Sequence, residues 1–181
     1  MLNMVAPELA HLLYPDLDQR LVVAYSTVHD LSELITGDLV SLTLTAQEIK
    51  EKAARERTAT EVLAAKLPPW IAQMLLEYES QETKEARFVK AVDKLLPITT
   101  DLKMVREQRS DVIQSLMERV FDIKTWDDLG RAHYNFLRNF RERFGDEFPE
   151  LMQLLEEQIR EFMDKIQFIE DPQLTLNLVG Y

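Results

Sequence analysis

The sequence predicts an all-α protein, a multi-helix bundle followed by an additional C-terminal helical block. Three observations predict it. Ala, Leu, Glu, Lys, Arg and Gln, which favour helices, dominate almost every segment. Gly occurs only four times in 181 residues. Apolar residues recur at helical spacing between punctuation marks, with Asp or Thr at starts and Gly or Pro at stops.

Residues 5–14 read as a short apolar helix stopped by Pro15. Asp16 or Asp18 caps the next helix, which the pattern carries to about Ile35. Its Leu21, Val22, Ala24, Tyr25 and Val28 cover most sides, as a central helix requires. Thr36-Gly37-Asp38 ends it, with Gly37 supplying the permissive backbone. Thr45-Ala46-Gln47-Glu48 is a capping box opening a charged helix to about Lys66. The charge run Glu48–Glu56 reads as a solvated face of that helix. Leu67-Pro68-Pro69 breaks the chain, and Pro69 suits the start of a helix over Trp70–Tyr78. A helix over Glu82–Leu96 follows, with Ala86, Val89, Val92 and Asp93 inward and Pro97 as its end.

In the second block, Thr100 or Asp101 caps a helix to about Val120. Thr125-Trp126-Asp127-Asp128 starts another, whose Leu129, Phe136, Leu137, Phe140 and Phe144 recur at core spacing until Gly145. Pro149 begins the last helix, with Leu151, Leu154, Leu155, Ile159, Phe162, Met163 and Ile166 on one face. The tail Leu174–Leu178 alternates like a strand. The expected division is residues 1–98 for the core and 99–181 for a helical extension packed on it.

Composition narrows the function. Hydrophobic residues make up 46% and charged residues 29%, an ordinary globular balance rather than a disordered one. The absence of Cys excludes a disulfide scaffold, a zinc finger, an iron–sulfur site and a thiol nucleophile. A net charge of −11 repels a phosphate backbone, so nucleic acid is not an expected partner. No apolar run approaches the ~20 residues that span a bilayer, and Met1–Ala6 has no basic leader, so the expected location is cytoplasmic. There is no P-loop, no G-x-G-x-x-G and no serine-hydrolase elbow.

The residues suited to chemistry cluster early. His29 and Asp30 stand side by side in an apolar stretch, with Glu33 four residues after His29. Burying such groups together costs several kcal/mol unless they pair or bind a metal. Imidazole nitrogen plus carboxylate oxygen suits Mn²⁺, Fe²⁺, Co²⁺, Ni²⁺ or Zn²⁺. Asp93 adds a carboxylate from a distant helix, with an Asp–Lys or Asp–Arg pair as its alternative role. Of the other histidines, His133 reads as a surface or helix-packing residue, and the Phe136, Phe140 and Phe144 stripe as core. Arg131, Arg138, Arg141 and Arg143 read as partners of Asp127, Asp128 and Glu142.

The run Val28-His29-Asp30-Leu31-Ser32-Glu33-Leu34-Ile35-Thr36-Gly37-Asp38 resembles the core motif of the HD-domain metal-dependent phosphohydrolases, in the 5′-deoxynucleotidase branch. The resemblance continues through Lys52–Ala59, Leu67-Pro68, Leu76-Glu77-Tyr78-Glu79 and Glu85–Lys94, and spans about residues 20–96 in order. It implies that His29, Asp30 and Asp93 are metal ligands, that Glu33 and Asp38 serve water and substrate, and that Glu77 supports them. It also implies one divalent transition metal, a nucleoside monophosphate substrate and a homodimer. The family's further His ligand, from an N-terminal helix, has no counterpart at residues 1–10, and His11 stands too close to the His-Asp pair. Either the chain starts inside that helix, leaving the first helix incomplete, or the rival expectation holds, an HD-fold protein with a binding role and little catalysis. Nothing else among the identified site residues is expected to neutralise a phosphate dianion, which makes the metal necessary.

Overall fold

The structure is a computed structural model that describes residues 1–37, 46–107 and 126–170. Among the described residues all regular structure is helical, as expected. The expectations for Asp38, Thr45, the stretch 108–125 and the tail 174–178 lie outside them. The chain divides into two compact units, Met1–Lys94 and Leu95–Tyr181.

In the first unit, α1 (Leu2–Leu13) packs on α2 (Gln19–Val28) through buried Leu2, Ala6 and Ala10. The link between them is fixed by Asp18, whose side chain caps α2 by accepting from the Arg20 amide at 2.9 Å. The Asp18 amide in turn donates to Glu85 at 3.0 Å. α2 packs on α5 (Pro69–Ser80), and α5 on α4 (Ala46–Ala64). Pro69 sits at the first position of α5, where its missing N–H costs nothing. The first part of α6 (Lys84–Arg106) contributes fully buried Ala86, Phe88, Val89, Ala91 and Val92. Phe88 meets Tyr14 edge-on, with ring centroids 5.4 Å apart.

Two helix limits differ from those expected, and both differences bear on the site. The helix expected to reach Ile35 ends at Val28. The Ser26 carbonyl accepts from the His29 ring at 2.9 Å, which competes with the next amide of the ladder. Residues 29–32 turn through three-residue bonds, Leu31 to Val28 and Glu33 to Asp30. A four-residue α3 (Glu33–Thr36) follows and stops at Gly37, whose φ of 73° favours glycine. His29 and Glu33 therefore do not share a helix face.

Pro97 does not end its helix either; α6 continues to Arg106. Proline normally costs a helix interior ~3 kcal/mol. Here Leu95, Ile98, Leu102 and Val105 are all buried, so packing outweighs propensity. The separate helix expected from Thr100 is thus the second part of α6.

In the second unit, α7 (Trp126–Phe140) runs into a π-helical turn (Arg141–Gly145), and α8 (Pro149–Glu170) packs against both. Phe140, Phe144, Phe148, Leu151, Leu155, Ile159 and Phe162 form this core. Gly130 lets the helices close up, since a Cβ there would stand 2.6 Å from the Met163 methyl. His133 is not at the surface; it is fully buried, stacked on Phe162 at 4.4 Å and 3.3 Å from Asp101. Arg131 pairs with Asp128, as expected, but Arg141 pairs with Glu156.

Candidate metal centre

The site is built where α2 stops. Because Val28 is the last helical residue, His29 and Asp30 project from a turn rather than a helix flank. The peptide carbonyl of Ser26 has no proton, so its 2.9 Å contact makes His29 Nδ1 the donor. That leaves Nε2 facing outward, 2.7 Å from Asp30 Oδ2. In a neutral ring both of these atoms carry lone pairs, and the contact is favourable only with a cation between them, either a proton or a metal. A ring whose far N–H is held by a carbonyl is the usual arrangement of a metal-binding histidine.

Asp93 arrives from α6, over sixty residues later in the chain. One donor atom each from His29, Asp30 and Asp93 lies within 4.8 Å of the others. Around an ion held at ~2.1 Å, neighbouring donors stand ~3.0–3.4 Å apart. The His29–Asp30 contact is slightly tighter than that, and the 4.8 Å bound on the set is wider, so side-chain rotation is needed to close the three donors on an ion. One nitrogen and two carboxylate oxygens match a borderline divalent transition metal. Asp30 is 58% exposed, which leaves the site an open side.

Electrostatics fit an anionic cluster with cations beside it. Burial raises the Asp30 carboxyl, but the His29 hydrogen bond and the charges of His29, Lys90 and Lys94 together bring it below its ordinary range. Lys94 Nζ lies 3.0 Å from Asp93 Oδ2, so the Asp–Lys pairing weighed from the sequence exists alongside the ligand cluster. Lys90, one turn earlier, lies over the Tyr78 ring, 5.7 Å from its centroid. Burial, then the charge of Lys94, pushes the Lys90 ammonium down against the pull of Asp93, Glu56 and Glu79. The expectation that no protein cation is present is therefore corrected: Lys90 and Lys94 both are. The i, i+4 spacing of these lysines about Asp93 was the available signal.

α4 and α5 add a second layer. Lys52 and Glu56 pair at 3.5 Å with only 12% and 16% of their side chains exposed. Part of the charge run thus faces inward, because α4 packs on α5 along that side. Burial raises the Glu79 carboxyl, with Glu56 adding to it and Lys90 and Arg57 opposing. The Tyr78 hydroxyl is buried with no hydrogen-bond partner among the described residues. Burial, then the charges of Asp93, Glu79, Asp30 and Glu56, raises it well above the ordinary tyrosine range.

The remaining expected residues are spread around this centre. Glu33 opens α3, half-buried, and its amide donates to the Asp30 carbonyl at 3.0 Å. Glu77 faces Tyr25, accepting from its hydroxyl at 3.3 Å and from Gln73 at 2.8 Å. Neither belongs to the donor cluster. His11 is exposed near the end of α1, outside it as well.

An all-α fold thus brings a His, its neighbouring Asp and a distant Asp close enough that they could hold a metal ion. A family model described as HD domain matches residues 1–130, and the chain belongs to that family. The 5′-deoxynucleotidase hdd1 of Schizosaccharomyces pombe is 33% identical over 88 residues, covering 44% of this chain and 43% of that relative. The 5′-deoxynucleotidase HDDC2 of Xenopus laevis is 39% identical over 74 residues, covering 39% of this chain and 36% of that protein. The chain thus spans less than half the length of these curated relatives. No solved structure matches it. No described helix is long and apolar enough to cross a membrane.

Proposed function

We propose that this protein is a divalent-metal-dependent phosphohydrolase that cleaves a nucleoside 5′-monophosphate, in the manner of a 5′-deoxynucleotidase. The convergence of His29, Asp30 and Asp93 carries this reading, because three donors from two segments far apart in the sequence come within reach of one ion, with Asp30 partly exposed. His29, Asp30 and Asp93 would hold the ion, which supplies Lewis acidity that acidifies water and draws charge from the phosphate. Glu33 takes a proton from the attacking water and returns it to the 5′ oxygen as the P–O bond breaks. Water and phosphomonoester thereby become nucleoside and inorganic phosphate. Asp38 shares this proton and substrate work, and Glu77 braces Tyr25 behind the centre. The protein works as a cytoplasmic homodimer, checked by light scattering at micromolar concentration.

The test is release of phosphate from a panel of deoxynucleoside monophosphates with added Mn²⁺ or Co²⁺. Metal-dependent release supports the enzyme. Tight metal binding with no release from any phosphomonoester would instead favour an HD-fold binding protein.

A further inference from the structure

We propose that Lys94 holds the metal's place on Asp93 and, when a metal takes that carboxylate, turns to bind the phosphate dianion of the substrate. The inference rests on the phosphohydrolase reading and deepens it. Asp93 is shared between the two cations: its Oδ2 accepts Lys94 at 3.0 Å, and a carboxylate oxygen of the same residue belongs to the donor cluster. A divalent ion at that cluster takes over the negative charge that holds the ammonium.

Lys94 is suited to move. Its side chain is 27% exposed, and lysine is a point charge on a flexible stem. Lys90 is more confined, lying over the Tyr78 ring. The two lysines, one turn apart on α6, stand on the same side as the metal carboxylates, and both act on Asp30.

Charge balance gives the released ammonium a destination. With His29 neutral, Asp30 and Asp93 cancel a divalent ion. A bound phosphate dianion then adds two negative charges beside Lys90 and Lys94, on top of the carboxylates of Glu33 and Glu79. Lys52 and Glu56 cancel each other nearby. Metal and phosphate should therefore bind with positive and reciprocal coupling.

The experiment measures Mn²⁺ and inorganic phosphate binding to the full chain by calorimetry, for wild type, Lys94→Gln and Lys94→Arg. Lys94→Gln removes the competitor, so phosphate-free Mn²⁺ affinity should rise about two- to fivefold, the scale of a partly exposed ion pair. At saturating Mn²⁺, the same variant should bind phosphate about tenfold more weakly, the scale of one charge-assisted hydrogen bond. Lys94→Arg should keep most of the phosphate affinity, which a misfolded Lys94→Gln could not explain. Unchanged or weaker Mn²⁺ binding in Lys94→Gln, or unchanged phosphate binding, overturns the proposal while the parent reading stands. If wild type binds neither Mn²⁺ nor phosphate, both readings fall together.

Discussion

The ring of His29 is tied to the carbonyl of Ser26, three residues back, at 2.9 Å. This contact has two effects. It contributes to ending α2 at Val28, and it selects which imidazole nitrogen faces Asp30 and the centre. The same bond therefore sets both the backbone turn and the ligand atom.

Loss of any donor should be read first as loss of metal. His29→Gln, Asp30→Asn and Asp93→Asn should each weaken Co²⁺ binding at least about tenfold, since even supporting partners of a ligand are worth that much. Titration of the visible Co²⁺ absorption measures this directly. Retention of wild-type affinity in Asp93→Asn would remove α6 from the site.

Glu33→Gln should behave differently. It should keep its metal and lose about a hundredfold or more in turnover, the scale of a general acid–base group. Metal content and phosphate release measured on one preparation separate the two effects. A Glu33→Gln protein purified as metal-poor as Asp30→Asn would make Glu33 a ligand instead.

Glu79 gives a pH prediction with a definite sign. Its folded-state carboxyl lies above the ordinary 4.5, chiefly because it is buried. A raised acid binds more protons folded than unfolded. Its effect therefore favours the fold at low pH and turns against it as pH rises past 4.5 through the raised folded value. Glu79→Gln should melt higher than wild type at neutral pH, with the gain vanishing below about pH 4. Thermal melts of metal-free protein across that range check it; a constant offset at every pH would exclude the linkage.

Pro97 should be a net cost to stability. Inside α6 its missing N–H and its ring's crowding of the preceding turn together cost ~3 kcal/mol, offset by ~1 kcal/mol of unfolded-state restriction. Pro97→Ala should stabilise the fold by about 2 kcal/mol, seen as a higher urea midpoint at unchanged slope. A lower midpoint would mean the packing around Leu95 and Ile98 needs the proline's bend.

Where local chemistry decides, the sequence was legible. Pro69, Pro149 and Gly37 mark element limits because their backbones allow little else. The break after Val28 was hidden, because a side-chain bond to Ser26 makes it and no Gly or Pro announces it. Continuation through Pro97 was hidden for the opposite reason: burial of Ile98, Leu102 and Val105 overrides a strong local signal. At the site, His29, Asp30 and Asp93 stood out as costly types in apolar runs. Lys90 and Lys94 did not, because lysines one helical turn apart normally read as solvated. Lys52 and Glu56 were masked by the same habit.

The π-helical turn at Arg141–Gly145 makes chain length, rather than residue type, the sensitive quantity there. Such a turn holds about one residue more than an α-turn, so removing one residue would let the helix run on in ordinary form. Each residue of an α-helix advances ~100° around the axis. Because the wide turn already absorbs that surplus residue, a further insertion would instead swing Phe144, buried beside Phe140 at 5.1 Å, away from its pocket. Arg141, Glu142 and Arg143 are exposed and open to exchange. Among descendants of this sequence, substitutions should accumulate at these three positions, while insertions there are purged.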